Sequence, residues 1–365
     1  MLLPKTKTKI SRILPFGIIW FLFSIIFAQL QKGIIGNLSY YPATGSPYDF
    51  SKNIIIIPIA GLITGLLIGT MEIVFFNKLF VRKSFSEKIS YKSLIYLAVN
   101  ILFLLSTSLI INFFTTGFNI VAWQHIWISF HTYSFWSIEI YIAGIIVISQ
   151  FYTEVSESIG LGVLPNFFTG KYYKPVVEER IFMFLDMKSS TSIAEHLGHV
   201  LYFKMLKEYY FDLSEAILNS RGEIYQYVGD EVIVSWTIQN NLENNNCINC
   251  FFAMKKSIQK EAKKYIQHYG LIPEFKAAIH VGKVTTGEIG VIKKNIMFTG
   301  DVLNTTARIQ ELCNTYNVEL LLSNDLLQIL DLPPQFQIKP LGKIQLRGRE
   351  EKINLATIIP QQTKI

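Results

Sequence analysis

The chain has 365 residues, 50% of them hydrophobic, and its 34 Lys and Arg outweigh 27 Asp and Glu for a formal charge of +7. This length accommodates two domains, and the basic balance does not imply nucleic acid, because much of the excess flanks apolar runs where it meets anionic lipid headgroups. The three cysteines, Cys247, Cys250 and Cys313, all fall in the half assigned to the cytosol, where thiols stay reduced, so a disulfide framework is excluded.

Residues 1–152 read as membrane. Apolar runs at Leu14–Gln31, Ile54–Phe76, Leu94–Phe114 and Ile138–Phe151 approach or reach the roughly 20 residues that a bilayer requires. The fourth carries Glu139 and Gln150 near its ends and gains enough length by continuing through Tyr152. The first run follows basic residues, as a signal peptide would, but no small-residue cleavage site follows it and three further spans do, so it is expected to stay. Lys and Arg cluster before the first span (Lys5, Lys7, Lys9, Arg12) and after the second (Lys78, Arg82, Lys83, Lys88, Lys92), while Thr115–Ser137 has neither. The positive-inside rule then places both termini of this multi-pass chain in the cytosol, expected at the inner (plasma) membrane.

Residues 153–179 follow as a coupling linker, punctuated by Gly160, Gly162, Pro165 and Pro175. From 180 to 360 short apolar runs alternate with amphipathic stretches, the pattern of a mixed sheet-and-helix domain. Strands are predicted at Arg180–Leu185, Glu223–Tyr227, Glu231–Trp236, Glu274–Val281, Lys283–Ile289, Glu319–Ser323 and Phe336–Leu346. Helices are predicted at Ser190–Ser220, Cys247–Tyr269 and Leu303–Asn317. The Asn-rich stretch Gln239–Asn249 reads as a surface loop, and the CxxC of Cys247 and Cys250 as two thiols opening a helix, since no second ligand pair stands near it.

Three segments carry chemistry. In RIFMFLDMKSST an apolar strand ends at Asp186 and runs into Ser189, Ser190 and Thr191 at a helix start. A carboxylate there can hold a metal while backbone amides receive phosphate oxygens; equally, Asp186 and Ser190 can simply cap the helix. In EIYQYVGDEVIVSW two strands meet at Gly229 and Asp230, an ordinary hairpin turn whose tip also bears Asp230 and Glu231. If that hairpin pairs beside the first strand, Asp186 meets Asp230, and two carboxylates so close call for cations between them. In FTGDVLNTTARIQELC, Asn304 and Arg308 stand four apart on one helical face, an amide suited to a sugar or ring oxygen and a guanidinium suited to a phosphate, although a surface helix can carry both for no such reason.

Together, in this order and spacing, the three segments resemble the class III adenylate and guanylate cyclase family. AIHVGKVTTGEIG, read as a hairpin, and LRGREEKINLATI agree with it. The resemblance implies an α+β, ferredoxin-like cyclase domain behind an all-α four-helix transmembrane domain. It implies a homodimer converting ATP to 3′,5′-cyclic AMP and pyrophosphate with two Mg²⁺ or Mn²⁺. It assigns Asp186, Asp230 and the Met187 carbonyl to metal, Asn304 to the ribose, Arg308 to charge developing at the α-phosphate, and Arg347 to a phosphate contact. The aspartates of one chain would face Asn304 and Arg308 of the other. His196, His199 and His280 are then structural or exposed.

The sequence departs from the family at the two positions that choose the base. Gln226 stands where adenylate cyclases carry lysine, four residues before Asp230, and Met297 where they carry aspartate or threonine, seven before Asn304. The guanylate-selecting glutamate and cysteine are absent too. Glutamine both donates and accepts, so Gln226 suits the edge of adenine or of guanine, and Met297 offers only apolar contact; the family resemblance favours ATP, with GTP open as an alternative. Four spans exceed a simple anchor and suggest a signal received in the membrane, for which the aromatic stretch AWQHIWISFHTYSFW, with His125 and His131, is a candidate receiver or an interfacial segment. Glu72 is a candidate polar contact between spans. A membrane receptor with a silent nucleotide-binding domain is the competing reading; retained Asp186, Asp230, Asn304 and Arg308 weigh against it.

Overall fold

The computed structural model describes residues 4–42, 47–76, 79–80, 83–116, 127, 131–160, 163–242, 245–334 and 336–360. The chain divides into two compact units, the first Thr6–Ile159 and the second beginning at Gly160.

The first unit holds α1 (Pro4–Ile35), α2 (Phe50–Met71), α3 (Phe85–Thr116) and α4 (Tyr133–Ile159). Among the described residues four helices are long and apolar enough to cross a membrane, at Lys9–Ile35, Phe50–Phe76, Phe85–Thr107 and Tyr133–Ile159. The fourth exceeds the expected Ile138–Phe151 at both ends, because Glu139 and Gln150 are not terminators: both side chains are buried against neighbouring helices. Glycines 61, 65 and 69 form one face of α2 that admits α1 closely; a Cβ on Gly65 would stand 2.6 Å from the Phe16 carbonyl oxygen.

At Glu72, α2 gives way to a π-helical turn, Glu72–Phe76. The Glu72 carboxylate is fully buried and receives Lys92 Nζ at 2.6 Å, the Tyr96 hydroxyl at 3.0 Å and Gln150 Nε2 at 3.2 Å. Lys92 also meets Glu154 at 2.8 Å, and Lys88 meets Glu154 at 3.2 Å. Charges of both signs drawn from α3, α4 and the end of α2 therefore satisfy one another where water does not reach. Arg12 on α1 pairs with Glu157 on α4. Of the aromatic stretch before α4, His125 lies outside the described residues; His131 Nδ1 bonds the Trp127 carbonyl at 2.8 Å.

The second unit opens with α5 (Val163–Thr169) and continues with β1 (Val176–Met187), α6 (Ser190–Leu197), α7 (His199–Asn219), β2 (Glu223–Val228) and β3 (Glu231–Thr237). Next come α8 (Ile238–Leu242), α9 (Asn246–Lys260), α10 (Ala262–Tyr269), β4 (Phe275–Ile289) and β5 (Asn295–Thr299). The last elements are α11 (Asp301–Tyr316), β6 (Leu320–Ser323), α12 (Asn324–Leu327), β7 (Phe336–Gln345) and β8 (Lys352–Pro360). One sheet runs β2-β3-β1-β4-β6-β8-β7, with β5 pairing β4. Alternation along the strands divides their side chains between two faces. Ile181, Met183 and Leu185 join Met205, Tyr209 and Leu213 of α7 and Phe251 and Met254 of α9 in the larger core. Phe182, Phe184, Ala278 and Leu321 face the other way, toward Val302, Ile309 and Cys313 of α11.

Several expected elements differ. AIHVGKVTTGEIG is no hairpin but part of one 15-residue strand, β4; the true hairpin joins β4 to β5, a strand not expected. Gly282 is there for a close approach rather than a turn, since a Cβ on it would lie 3.0 Å from Val302 of α11. Ser190–Ser220 is two helices, broken at Gly198 with φ +73, and Cys247–Tyr269 is interrupted at Glu261. The Asn-rich loop is largely helical: Asn241 is fully buried, and its Oδ1 accepts the Cys247 N–H at 2.8 Å. Cys247 and Cys250 do open a helix, and both are buried, which pushes the Cys250 thiol up to about 12.

Candidate active site

Strand register assembles the acidic centre. β1 lies between β3 and β4, with Asp186 opposite Glu231 on one side and Lys276 on the other. The turn at Gly229 (φ +63) then sets Asp230 beside Asp186, as the hairpin reasoning anticipated. Glycine suits that φ because it lacks the Cβ that a left-handed backbone crowds. The Tyr210 hydroxyl donates to the Gly229 carbonyl at 2.8 Å and pins the hairpin tip to α7.

The centre is short of positive charge. Burial, and after it the adjacent Asp230, holds the Asp186 carboxyl above the usual carboxylate range, against the opposing pull of Gln310 and Lys276. Glu231 is raised to about 7, by burial first and then by Asp186 and Asp230. Among the described residues, one oxygen of Asp230, Oδ2, is sealed from solvent and has no hydrogen-bond donor, and the two carboxylates abut. Leaving a carboxylate oxygen buried and unpaired is costly, and a divalent cation removes that cost. Among the described residues no group of three or more His, Cys, Asp or Glu could hold a metal. The pair suits a divalent cation of the sort that binds one or two carboxylates and completes its shell with phosphate oxygens and water, rather than a closed all-protein cage.

Beyond Met187, the buried last residue of β1, the chain turns into α6. Ser189, at the N-cap of α6, takes the left-handed region (φ 56) and, among the described residues, makes no side-chain cap hydrogen bond. Ile193 N bonds the Ser189 carbonyl at 3.0 Å, so the amides of the first helical turn, Ser190 and Thr191 among them, precede the first intrahelical bond. Ser189 and Thr191 are exposed, three and five residues after Asp186.

Asn304 is exposed and Arg308 half-buried on α11. Gly348 lies against the guanidinium: a Cβ there would be 3.6 Å from Arg308 Nη2. Arg349 fastens that turn to α11, donating to Thr305 Oγ1 at 2.9 Å and pairing with Asp301 at 3.1 Å. Arg347 is exposed one residue before that glycine. Gln226 and Met297 are exposed on β2 and β5, and their chain neighbours Tyr225 and Phe298 touch, with ring centroids 4.8 Å apart and Phe298 N donating to Tyr225 Oη at 3.3 Å. The two positions expected to read the base thus sit on adjoining segments.

Asn304 and Arg308 lie on another side of α11 than the residue of that helix that touches Asp186. Gln310 of α11 donates to Asp186 Oδ2 at 3.1 Å. At about 100° per residue, Arg308 projects roughly 200° and Asn304 roughly 240° around the helix from Gln310. Lys276, 3.4 Å from Asp186 Oδ2, and Gln310 were absent from the sequence reading. A lysine inside an apolar strand and a glutamine on the buried face of an amphipathic helix were the available signals. Of the histidines, His196 and His199 are exposed, while His280 is buried and bonded to Ser323 Oγ at 2.7 Å.

A family model described as the adenylate and guanylate cyclase catalytic domain matches residues 173–358. Adenylate cyclase 2 of Rhizobium meliloti (strain 1021) is 36% identical over 208 residues, covering 57% of this chain and 57% of that protein. Adenylate cyclase 1 of the same organism is 25% identical over 183 residues, covering 48% of this chain and 27% of the relative. The chain thus spans less than two thirds of either curated relative. Among solved structures, a bacterial light-regulated adenylyl cyclase superposes with a TM-score of 0.50 at 18% identity, covering 58% of this chain and 61% of that one, which shows a shared fold.

Proposed function

The chain belongs to the adenylate and guanylate cyclase catalytic-domain family, and from that premise we propose that it is a membrane-bound adenylate cyclase, converting ATP to 3′,5′-cyclic AMP and pyrophosphate at a homodimer interface. The observation that carries the reading is the buried, unpartnered Oδ2 of Asp230 beside the raised carboxyl of Asp186. Two Mg²⁺ or Mn²⁺ held by Asp186, Asp230 and the Met187 carbonyl would supply the positive charge that activates the ribose 3′-hydroxyl and neutralises the departing pyrophosphate.

The chain's own groups do the rest. Amides at Ser189, Ser190 and Thr191 receive phosphate oxygens. Asn304 bonds the ribose and fixes the direction of attack on the α-phosphorus. Arg308 stands where negative charge grows on the α-phosphate, the placement that contributes most to rate, and Arg347 holds the polyphosphate. Because Asn304 and Arg308 project away from their own chain's aspartates, each site takes its metal half from one chain and its nucleotide half from the other. The four spans hold the dimer in the inner membrane with the catalytic domain cytosolic, and residues 153–179 pass a membrane signal to it.

The 36% identical relative, named an adenylate cyclase, supports ATP as substrate. Gln226 keeps GTP as the second reading, since its amide complements the edge of either purine. Incubation of the purified full-length chain with Mn²⁺ and either ATP or GTP, with products identified by mass, tests both. Cyclic AMP from the wild type and none from Asp230→Ala is expected. Cyclic GMP alone would reverse the substrate choice, and no product from either nucleotide would favour a silent nucleotide-binding receptor.

A further inference from the structure

Asp186 is held by two donors from two different elements, both directed at the same oxygen. Gln310 Nε2 on α11 donates to Oδ2 at 3.1 Å, and Lys276 Nζ on β4 lies 3.4 Å from it. Lys276 is itself steadied by Asn314 Oδ1 at 3.2 Å, one turn beyond Gln310 on α11. Gln310 is 6% exposed and Lys276 9%, so neither donor is free to turn to water instead. The Asp186 side chain retains 27% exposure, so its carboxylate is reachable while one oxygen is engaged.

We propose that Gln310 is a positioning residue for the metal centre: with Lys276 it fixes the rotation of the Asp186 carboxylate, leaving the remaining lone pairs aimed at the cation. The inference rests on the cyclase reading for its metal and adds a role that this reading does not contain. Its physical basis is that a carboxylate free to rotate loses conformational freedom on binding a cation, whereas one already held by outer partners has lost it on folding; removing such partners weakens metal affinity by about 10- to 100-fold. Gln310 is the sharper of the two to test, because Lys276 also repels an incoming cation and its removal alters two opposing effects. Gln310 further shares α11 with Asn304 and Arg308, so the helix that presents the nucleotide half of one site also sets the metal half of the other.

The test compares full-length wild type with Gln310→Met, close in shape but without the donor, and Gln310→Asn, polar but too short to reach. Mn²⁺ affinity of the nucleotide-free protein is read from the electron paramagnetic resonance of free Mn²⁺, and the Mn²⁺ dependence of cyclisation is measured in parallel. Both variants should bind Mn²⁺ about 10-fold more weakly or worse. The half-saturating Mn²⁺ for activity should rise by the same factor, while kcat at saturating Mn²⁺ and the KM for nucleotide stay near wild type. Either variant suffices if the other fails to fold. Unchanged Mn²⁺ affinity, or a loss of kcat that saturating Mn²⁺ does not restore, would overturn the role. A wild type that binds Mn²⁺ but forms no cyclic nucleotide sinks the cyclase reading alone, since the affinity comparison still decides on Gln310. A wild type that neither binds Mn²⁺ nor forms cyclic nucleotide sinks both.

Discussion

If each site is shared between chains, two crippled chains should repair one another. One chain carries Asp186→Ala, the other Arg308→Ala, and each alone should lose about 100- to 1,000-fold in kcat, the usual cost of removing a group that meets transition-state charge. The α11 geometry sets the expected rescue. Arg308 projects roughly 200° around the helix from Gln310, the residue that bonds Asp186, so an intact site needs Asp186 from one chain and Arg308 from the other. In a heterodimer of the two variants one site inherits both lesions and the other neither, so it should run at about half the wild-type rate per dimer. Placing both lesions on one chain and pairing it with wild type reverses the result: each site then holds one lesion, and activity should vanish. Chains bearing two different affinity tags, co-expressed and purified through both in turn, give the heterodimers for a cyclic nucleotide assay. Half activity from the double-lesion pairing and none from the separated one would refute the argument, because only a site built within a single chain behaves so.

Two further predictions concern stability. Lys92→Met leaves Glu72 and Glu154 buried without the ammonium that both contact, and removing one partner of such a cluster should destabilise the helical unit by about 3–5 kcal/mol, measured by denaturation in detergent. His280 is lowered to about 4, by burial first, with Arg349 adding to the effect and Asp325 and Asp301 opposing it. Since an unfolded histidine titrates near 6.5, the unfolded chain binds more protons between those values; stability is complete above about 6.5 and falls as the pH drops toward 4, by on the order of 3 kcal/mol. In His280→Gln that slope should flatten, read by chemical unfolding followed through Trp236, the one tryptophan after residue 159.

Several features were legible without coordinates because they depend on local composition. The four spans follow from run length, and the alternation of strand and helix from periodicity. Asp186 and Asp230 stood out from the position of each at a strand end or hairpin tip, and Asn304 with Arg308 from a spacing of four on a helix, while the roles proposed for them came from the family resemblance. Gly282 misled for a physical reason: a glycine between two apolar runs reads equally as a turn or as a place where another element comes close, and only the packing of Val302 distinguishes them. Glu72 was visible as a polar residue in a span, yet its partners Lys92, Tyr96 and Gln150 lie 20, 24 and 78 residues away along the chain.

The same limit applies to the catalytic centre. The sequence by itself named the candidate residues, since a carboxylate, an amide or a guanidinium is a property of the residue. Tertiary structure alone decided which of them meet: β1 register set Asp186 between Glu231 and Lys276, the turn at Gly229 added Asp230, and α11 delivered Gln310 to Asp186 while turning Arg308 away. Those contacts join segments as much as 124 residues apart, and only the fold that buries the two faces of the sheet brings them within bonding distance.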